Sequence, residues 1–206
     1  TVATSLNIGF DVIGNAVTNQ AVGGVDEVRL SNKILSDSEL LAAATATTEA
    51  TVTDSTLGLW HLNENIKGVI DATGNYNAIP TTGLSIVDGK FGKAKAFTLS
   101  NIVTLPTPLP MNRDYTIDLW AKFPLANTGA WRTLIAKSSG KYHMMVNVNG
   151  EIGVYTTGWL TSGFDLDTVS AGWHHVASVG LGTTTTFYID GAKVGNTIAT
   201  KITDDI

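Results

Sequence analysis

Apolar and polar residues alternate along most of this chain, and a period of two leaves room for little but β-strands. Tyr115-Thr116-Ile117-Asp118-Leu119-Trp120-Ala121 puts Tyr115, Ile117, Leu119 and Ala121 on one face. Thr185-Thr186-Phe187-Tyr188-Ile189 alternates in the same way and ends in an Asp190-Gly191 turn. Asn149-Gly150 separates two alternating runs, 143–148 and 151–155. Such a dipeptide predicts a tight hairpin, because both central residues must accept positive φ. About a dozen segments of this kind predict an all-β fold, an antiparallel two-sheet sandwich.

One helix interrupts the pattern. Ser36-Asp37-Ser38-Glu39 fits a capping box, and Leu40-Leu41-Ala42-Ala43-Ala44 follows it. The spacing predicts a short helix near 36–44. Residues 45–56 are rich in Thr and small residues, contain neither Gly nor Pro, and are expected to form an extended linker at a domain boundary.

The 206 residues suffice for a sandwich core without cross-links. There is no cysteine, so disulfides and thiolate metal sites are excluded. Charged residues make up only 15% of the chain, and the net charge is -5. A sparsely charged, Thr- and Gly-rich surface suits an extracellular protein. The 13 basic residues are scattered, which argues against nucleic acid as a partner. No apolar run approaches the ~18 residues needed for membrane insertion.

From Leu57 onward, ordered motifs accumulate. They include Gly58-Leu59-Trp60-His61-Leu62-Asn63-Glu64, Asp71-Ala72-Thr73-Gly74-Asn75-Tyr76-Asn77 and Gly89-Lys90-Phe91-Gly92-Lys93-Ala94. Asp114-Tyr115-Thr116-Ile117-Asp118-Leu119-Trp120-Ala121-Lys122, Leu134-Ile135-Ala136-Lys137, Gly172-Trp173-His174-His175-Val176-Ala177 and 187–195 continue the series. Together they resemble the bacterial and phage laminin-G-like modules, which are concanavalin A-like jelly-roll sandwiches. The resemblance covers 57–206. The family ends on a "LYIG" strand and an "IDEVRIYNRALS" strand. Here the matching pieces stand first, at Leu6-Asn7-Ile8-Gly9 and 26–36. The division is therefore 1–44 as closing strands and helix, 45–56 as linker, and 57–206 as a sandwich lacking its last strands. Leu6, Ile8, Val25, Val28 and Leu30 are the expected strand-completing residues. Three arrangements account for the order: a tandem repeat cut out of phase, a circular permutation, or a subunit that completes its neighbour.

The resemblance also implies a structural calcium near the 71–77 loop, held by Asp71 and Asn75 with Asp26 as a third ligand; an Asx-turn without metal is the alternative. Trp131, Tyr155, Trp159 and Phe164 lie in or near expected loops, where they could contact a glycan or a partner protein or tuck onto the sandwich edge. His174 and His175 are adjacent on a strand and should point to opposite faces. His61 and His143 read as isolated. Asp26 and Glu27 are consecutive, so alternation separates them, and Arg29 should pair with a neighbouring carboxylate. Nothing fits a catalytic nucleophile, and retaining glycosidase chemistry needs carboxylates ~5 Å apart on one face.

The expected function is non-catalytic: a structural or adhesive module of an extracellular or virion surface assembly. Its partners would be copies of itself or adjacent similar modules. The alternative is a carbohydrate-binding module that recognises a surface glycan.

Overall fold

The computed structural model describes residues 6–8, 11–13, 16–18, 23–65, 68–80, 84–98, 103–105, 108–111, 113–126, 129–137 and 140–203. Alternation becomes strands β1 (Leu6–Ile8), β2 (Asp11–Ile13), β3 (Ala16–Thr18) and β4 (Gly23–Ser31). Helix α1 (Asp37–Ala44) follows, then β5 (Thr56–Trp60), β6 (Ile79–Pro80), β7 (Ser85–Asp88), β8 (Lys93–Phe97) and β9 (Val103–Thr104). The remainder is β10 (Tyr115–Phe123), β11 (Arg132–Lys137), β12 (Lys141–Val146), β13 (Glu151–Tyr155), β14 (Trp159–Asp165), β15 (Gly172–Leu181), β16 (Thr184–Ile189) and β17 (Ala192–Ile198). The strands exceed the expected dozen because short pieces such as β6 and β9 extend the sheets beyond the strongly alternating runs.

Two antiparallel sheets form the sandwich. One runs β14-β13-β12-β11-β1-β9-β6; the other runs β17-β16-β15-β10-β4-β8-β7, with β5 also paired to β4. Tyr115, Ile117, Leu119 and Ala121 all enter the main core, as their alternation predicts. That core joins them to Met144, Val146, Ile152 and Val154 from the opposite sheet. Among the described residues, no helix is long and apolar enough to cross a membrane.

Two of the N-terminal strands, β1 and β4, are interior members of the two sheets, while β2 and β3 pair only with each other. β1 lies between β11 and β9, with Ile8 opposite Ile135 and Val103. β4 lies beside β10 along most of its length, and its other edge is shared by β5 and β8. Ile8, Val28 and Leu30 are fully buried, and Val25 nearly so. The backbone of Leu6 pairs with Lys137, while its side chain lies outside the described set. The division at 44/45 and 56/57 therefore has no counterpart in the sheets, whose neighbouring strands come from both sides of it.

Local chemistry explains three features of the connections. The Ser36 capping box forms as the sequence implies, with its side chain accepting from Glu39 N and the Glu39 carboxylate accepting from Ser36 N. Asp190 (φ 50) and Gly191 (φ 79) both turn left-handed between β16 and β17. The Leu41 backbone presses on Gly191, where an added Cβ would come within 2.5 Å of it. The Asn149-Gly150 hairpin differs from expectation. Strand β12 ends at Val146, and of the two turn residues only Gly150 is left-handed. Asn147 sets this turn instead, because its side-chain oxygen accepts from Asn149 N and Glu151 N.

Candidate functional site

A bulge in β4 builds the most polar region of the molecule. Asp118 pairs with Arg29 and Trp120 with Asp26, so Glu27 and Val28 together stand opposite Leu119 alone. Glu27 absorbs the extra residue in a left-handed conformation, φ 52. Val25, Val28 and Leu30 still enter the core. The inserted residue consequently turns Asp26, Glu27 and Arg29 to the outer face together. This corrects the expectation that simple alternation holds Asp26 and Glu27 apart.

The outer face is roofed by chain rather than left open. Residues 33–35 anchor to Thr116, whose hydroxyl donates to Lys33 O and accepts from Leu35 N. Helix α1 buries Leu40 against Ala177 and Val179. Residues 45–55 of the stretch 45–56 expected as a linker then cross the sheet as a strap, and Thr56 opens β5. The strap's Ala50 N–H donates to Glu27 Oε2 at 2.9 Å, and Ser55 O accepts from Asn32 N. A cavity of about 300 Å³ remains beneath it, lined in part by Glu27, Arg29, Asp118, Trp120 and His175.

Each acid under this roof has its own surroundings. Asp118 takes both prongs of Arg29 and the Nε2 edge of His175 at 3.0 Å. Burial pushes its pKa up, but the His175 hydrogen bond and the Arg29 charge win and hold it below the ordinary carboxylate value. Asp26 is fully buried against the 89–92 turn, and Phe91 N donates to its Oδ2 at 3.0 Å. Its other oxygen has no hydrogen-bond partner among the described residues. Burial lifts its pKa to about 7, the Phe91 bond opposing and the Glu27 charge assisting. Trp120 is flanked by Phe91 edge-on and by Lys90, whose Nζ lies 4.2 Å from the ring centre.

His61 is not isolated, contrary to its reading in the sequence. Its Nδ1 lies 2.7 Å from Glu27 Oε1, and that hydrogen bond raises its pKa against the opposing effect of burial. Glu49 of the strap joins them: one ligand atom from each of Glu27, Glu49 and His61 lies within 4.8 Å of the others. The sequence carried one signal of this arrangement. Val25 and Val28, both core residues, are three apart, which a regular strand does not allow. His174 and His175 do point to opposite faces. The His174 ring meets Asp190 and Phe123, while His175 meets Asp118 and Trp120.

The calcium ligands named from the sequence do not assemble. The Asp71 carboxylate accepts from Leu59 N, Thr73 N, Thr73 Oγ1, Asn75 N and Tyr76 N, all but the first of them from its own loop. The Asn75 amide donates to Thr73 Oγ1, and Asp26 serves the 89–92 turn instead. Asp71 thus organises its loop as an Asx-type hub, and these donor groups do not fit a calcium ion. Asp167 is likewise committed, in a two-pronged ion pair with the fully buried Arg132.

Three of the four predicted contact aromatics converge. Trp131, Tyr155 and Trp159 pack with Ala136, Tyr142 and Met145 in a cluster separate from the main core. Trp131 and Trp159 meet edge to face at 5.1 Å, as do Tyr142 and Tyr155 at 5.6 Å. Phe164 does not join them. It packs against the main core, because Gly163 (φ 75) redirects β14 just before it.

A family model described as the concanavalin A-like lectin/glucanases superfamily matches residues 92–205. The chain belongs to this superfamily. Neither the curated proteins nor the solved structures hold a match to it. The matched stretch begins after β7 and omits β1 and β4, the strands that fill out both sheets of this superfamily member.

Proposed function

We propose that the chain is a non-catalytic adhesive module of an extracellular or virion surface assembly. The observation that carries this reading is the Trp131–Trp159–Tyr155 cluster. It is a half-buried aromatic group standing apart from the sandwich core, where large rigid rings suit contact with a partner. The reading as non-catalytic rests on engagement. Asp26 and Glu27 share a face, but both are buried and already held, Asp26 by Phe91 N and Glu27 by Ala50 N and His61, which speaks against a pair of carboxylates free to act on a substrate bond. β1 and β4 already occupy places in this chain's own sheets. Repeating modules of this kind would therefore join as finished sandwiches rather than by lending strands.

The same cluster favours a second reading, a carbohydrate-binding module, since indole and phenol rings stack on sugar faces. A glycan array tests the two together. Binding that is lost in Trp131→Ala and Trp159→Ala supports glycan recognition. An array without signal, together with self-association or receptor capture lost in the same variants, supports the protein-adhesive reading. Binding of either kind that is unchanged in both variants removes the cluster from the function.

A further inference from the structure

We propose that Glu27, Glu49 and His61 form a binding site for a divalent transition-metal cation, one that pins the 45–55 strap to the sheet. The three ligands come from three separate segments: the β4 bulge, the strap and the residue that follows β5. An imidazole nitrogen with two carboxylate oxygens is a donor set that zinc and its neighbours accept, and one that calcium, which takes oxygen ligands, does not prefer. The ligand atoms already lie within 4.8 Å of one another. A tetrahedral zinc needs ligand separations of roughly 3.3 Å. Glu27 Oε1 and His61 Nδ1, at 2.7 Å, must therefore part by about 0.6 Å, which a small side-chain rotation provides.

Two further observations separate this cluster from ordinary surface acids. Glu27 has only 3% of its side chain exposed, and His61 25%, so the pair is anchored in the fold. The carboxylates are also held from behind: Ala50 N–H binds the far oxygen of Glu27, and the Asn63 amide binds Glu49. Such outer contacts orient metal ligands and limit what ordering them costs. A cavity of about 860 Å³, lined by His61, Glu49 and Phe91 among others, opens onto the cluster and leaves room for water as the fourth ligand. Binding would release a proton from the imidazole nitrogen that faces Glu27.

Zinc chloride titrated calorimetrically into chelator-treated protein tests the site. The expected result is one saturable equivalent with roughly micromolar affinity and a melting temperature that rises with zinc but not with calcium. Glu49→Gln and His61→Gln should each weaken binding at least tenfold, with folding verified by circular dichroism. His174→Gln, the other part-exposed imidazole paired to an acid, should leave it unchanged. No saturable binding, a loss of less than tenfold in either ligand variant, or an equal loss in His174→Gln overturns the proposal. Protection of the strap from proteolysis by zinc supports it independently. Unchanged cleavage at saturating zinc overturns the pinning role.

Discussion

Arg29 and Asp118 stand opposite each other across β4 and β10, joined by two hydrogen bonds of 3.0 Å, Nε to Oδ1 and Nη2 to Oδ2. The pair lies 89 residues apart in sequence and is largely buried on both sides. It ties a strand from one end of the chain to the centre of a sheet built mainly from the other.

Removing one partner of such a pair strands the other. Arg29→Ala should destabilise the fold by about 3 kcal/mol, because a buried carboxylate is left with His175 alone. Arg29→Met combined with Asp118→Asn should cost less than Arg29→Ala. Urea unfolding of the three proteins measures the difference.

Asp118 also sets an acid limit. Its folded pKa is below the unfolded value of 3.8, so its contribution is complete above pH 3.8 and disappears as pH falls through the folded value. Acid unfolding monitored by tryptophan fluorescence should begin below pH 3.8, and the Asp118→Asn variant should lose that part of the transition.

Asp26 works in the opposite sense. Its pKa rises from 3.8 to about 7 on folding. Stability from this group is full below pH 3.8 and is lost as pH climbs through 7, a fall of about 2–4 kcal/mol. Urea midpoints measured in chelator from pH 4 to 8 should decline for the wild type. The decline should shrink in Asp26→Asn to the part left by His61, whose raised pKa also loses stability as pH climbs.

Leu30 reports on whether β4 is structural throughout. It is fully buried in the main core, so Leu30→Ala should cost about 2–5 kcal/mol in a single cooperative transition. A cost under 1 kcal/mol would mean that β4 does not complete the sandwich.

Ser36→Ala removes the helix cap and should cost about 1 kcal/mol. Because α1 covers Ala177 and Val179, the loss should also speed hydrogen exchange in the outer half of β15.

The fold was legible because two-residue alternation and one capping box are local signals. β10, β15, β16 and α1 each carry their pattern within a dozen residues or fewer. The strap was not legible. Residues 45–55 hold no periodic apolar face, and their path is set by single contacts such as Ala50 N–H to Glu27. The site followed the same division. The partner of Arg29 was foreseeable in kind but not in position. The meeting of Glu27, Glu49 and His61 depends on a bulge that only the odd spacing of Val25 and Val28 foreshadowed. The aromatic cluster was visible residue by residue, and Phe164 fell outside it because one left-handed glycine changes direction.

The central place of β4 has a consequence for synthesis. At roughly 5–20 residues per second, the 89 additions that take the chain from Arg29 to Asp118 occupy the ribosome for about 4 to 18 s. Throughout that interval β4 can pair with β5 and later with β8, but its other edge has no β10 and the core that covers Val25, Val28 and Leu30 is unfinished. Asp26, Glu27 and Arg29 are interleaved with those three, and charges placed so disfavour pairing of an unfinished strand with a wrong neighbour. The residues that line the finished outer face thus have the placement of gatekeepers while the chain is being made.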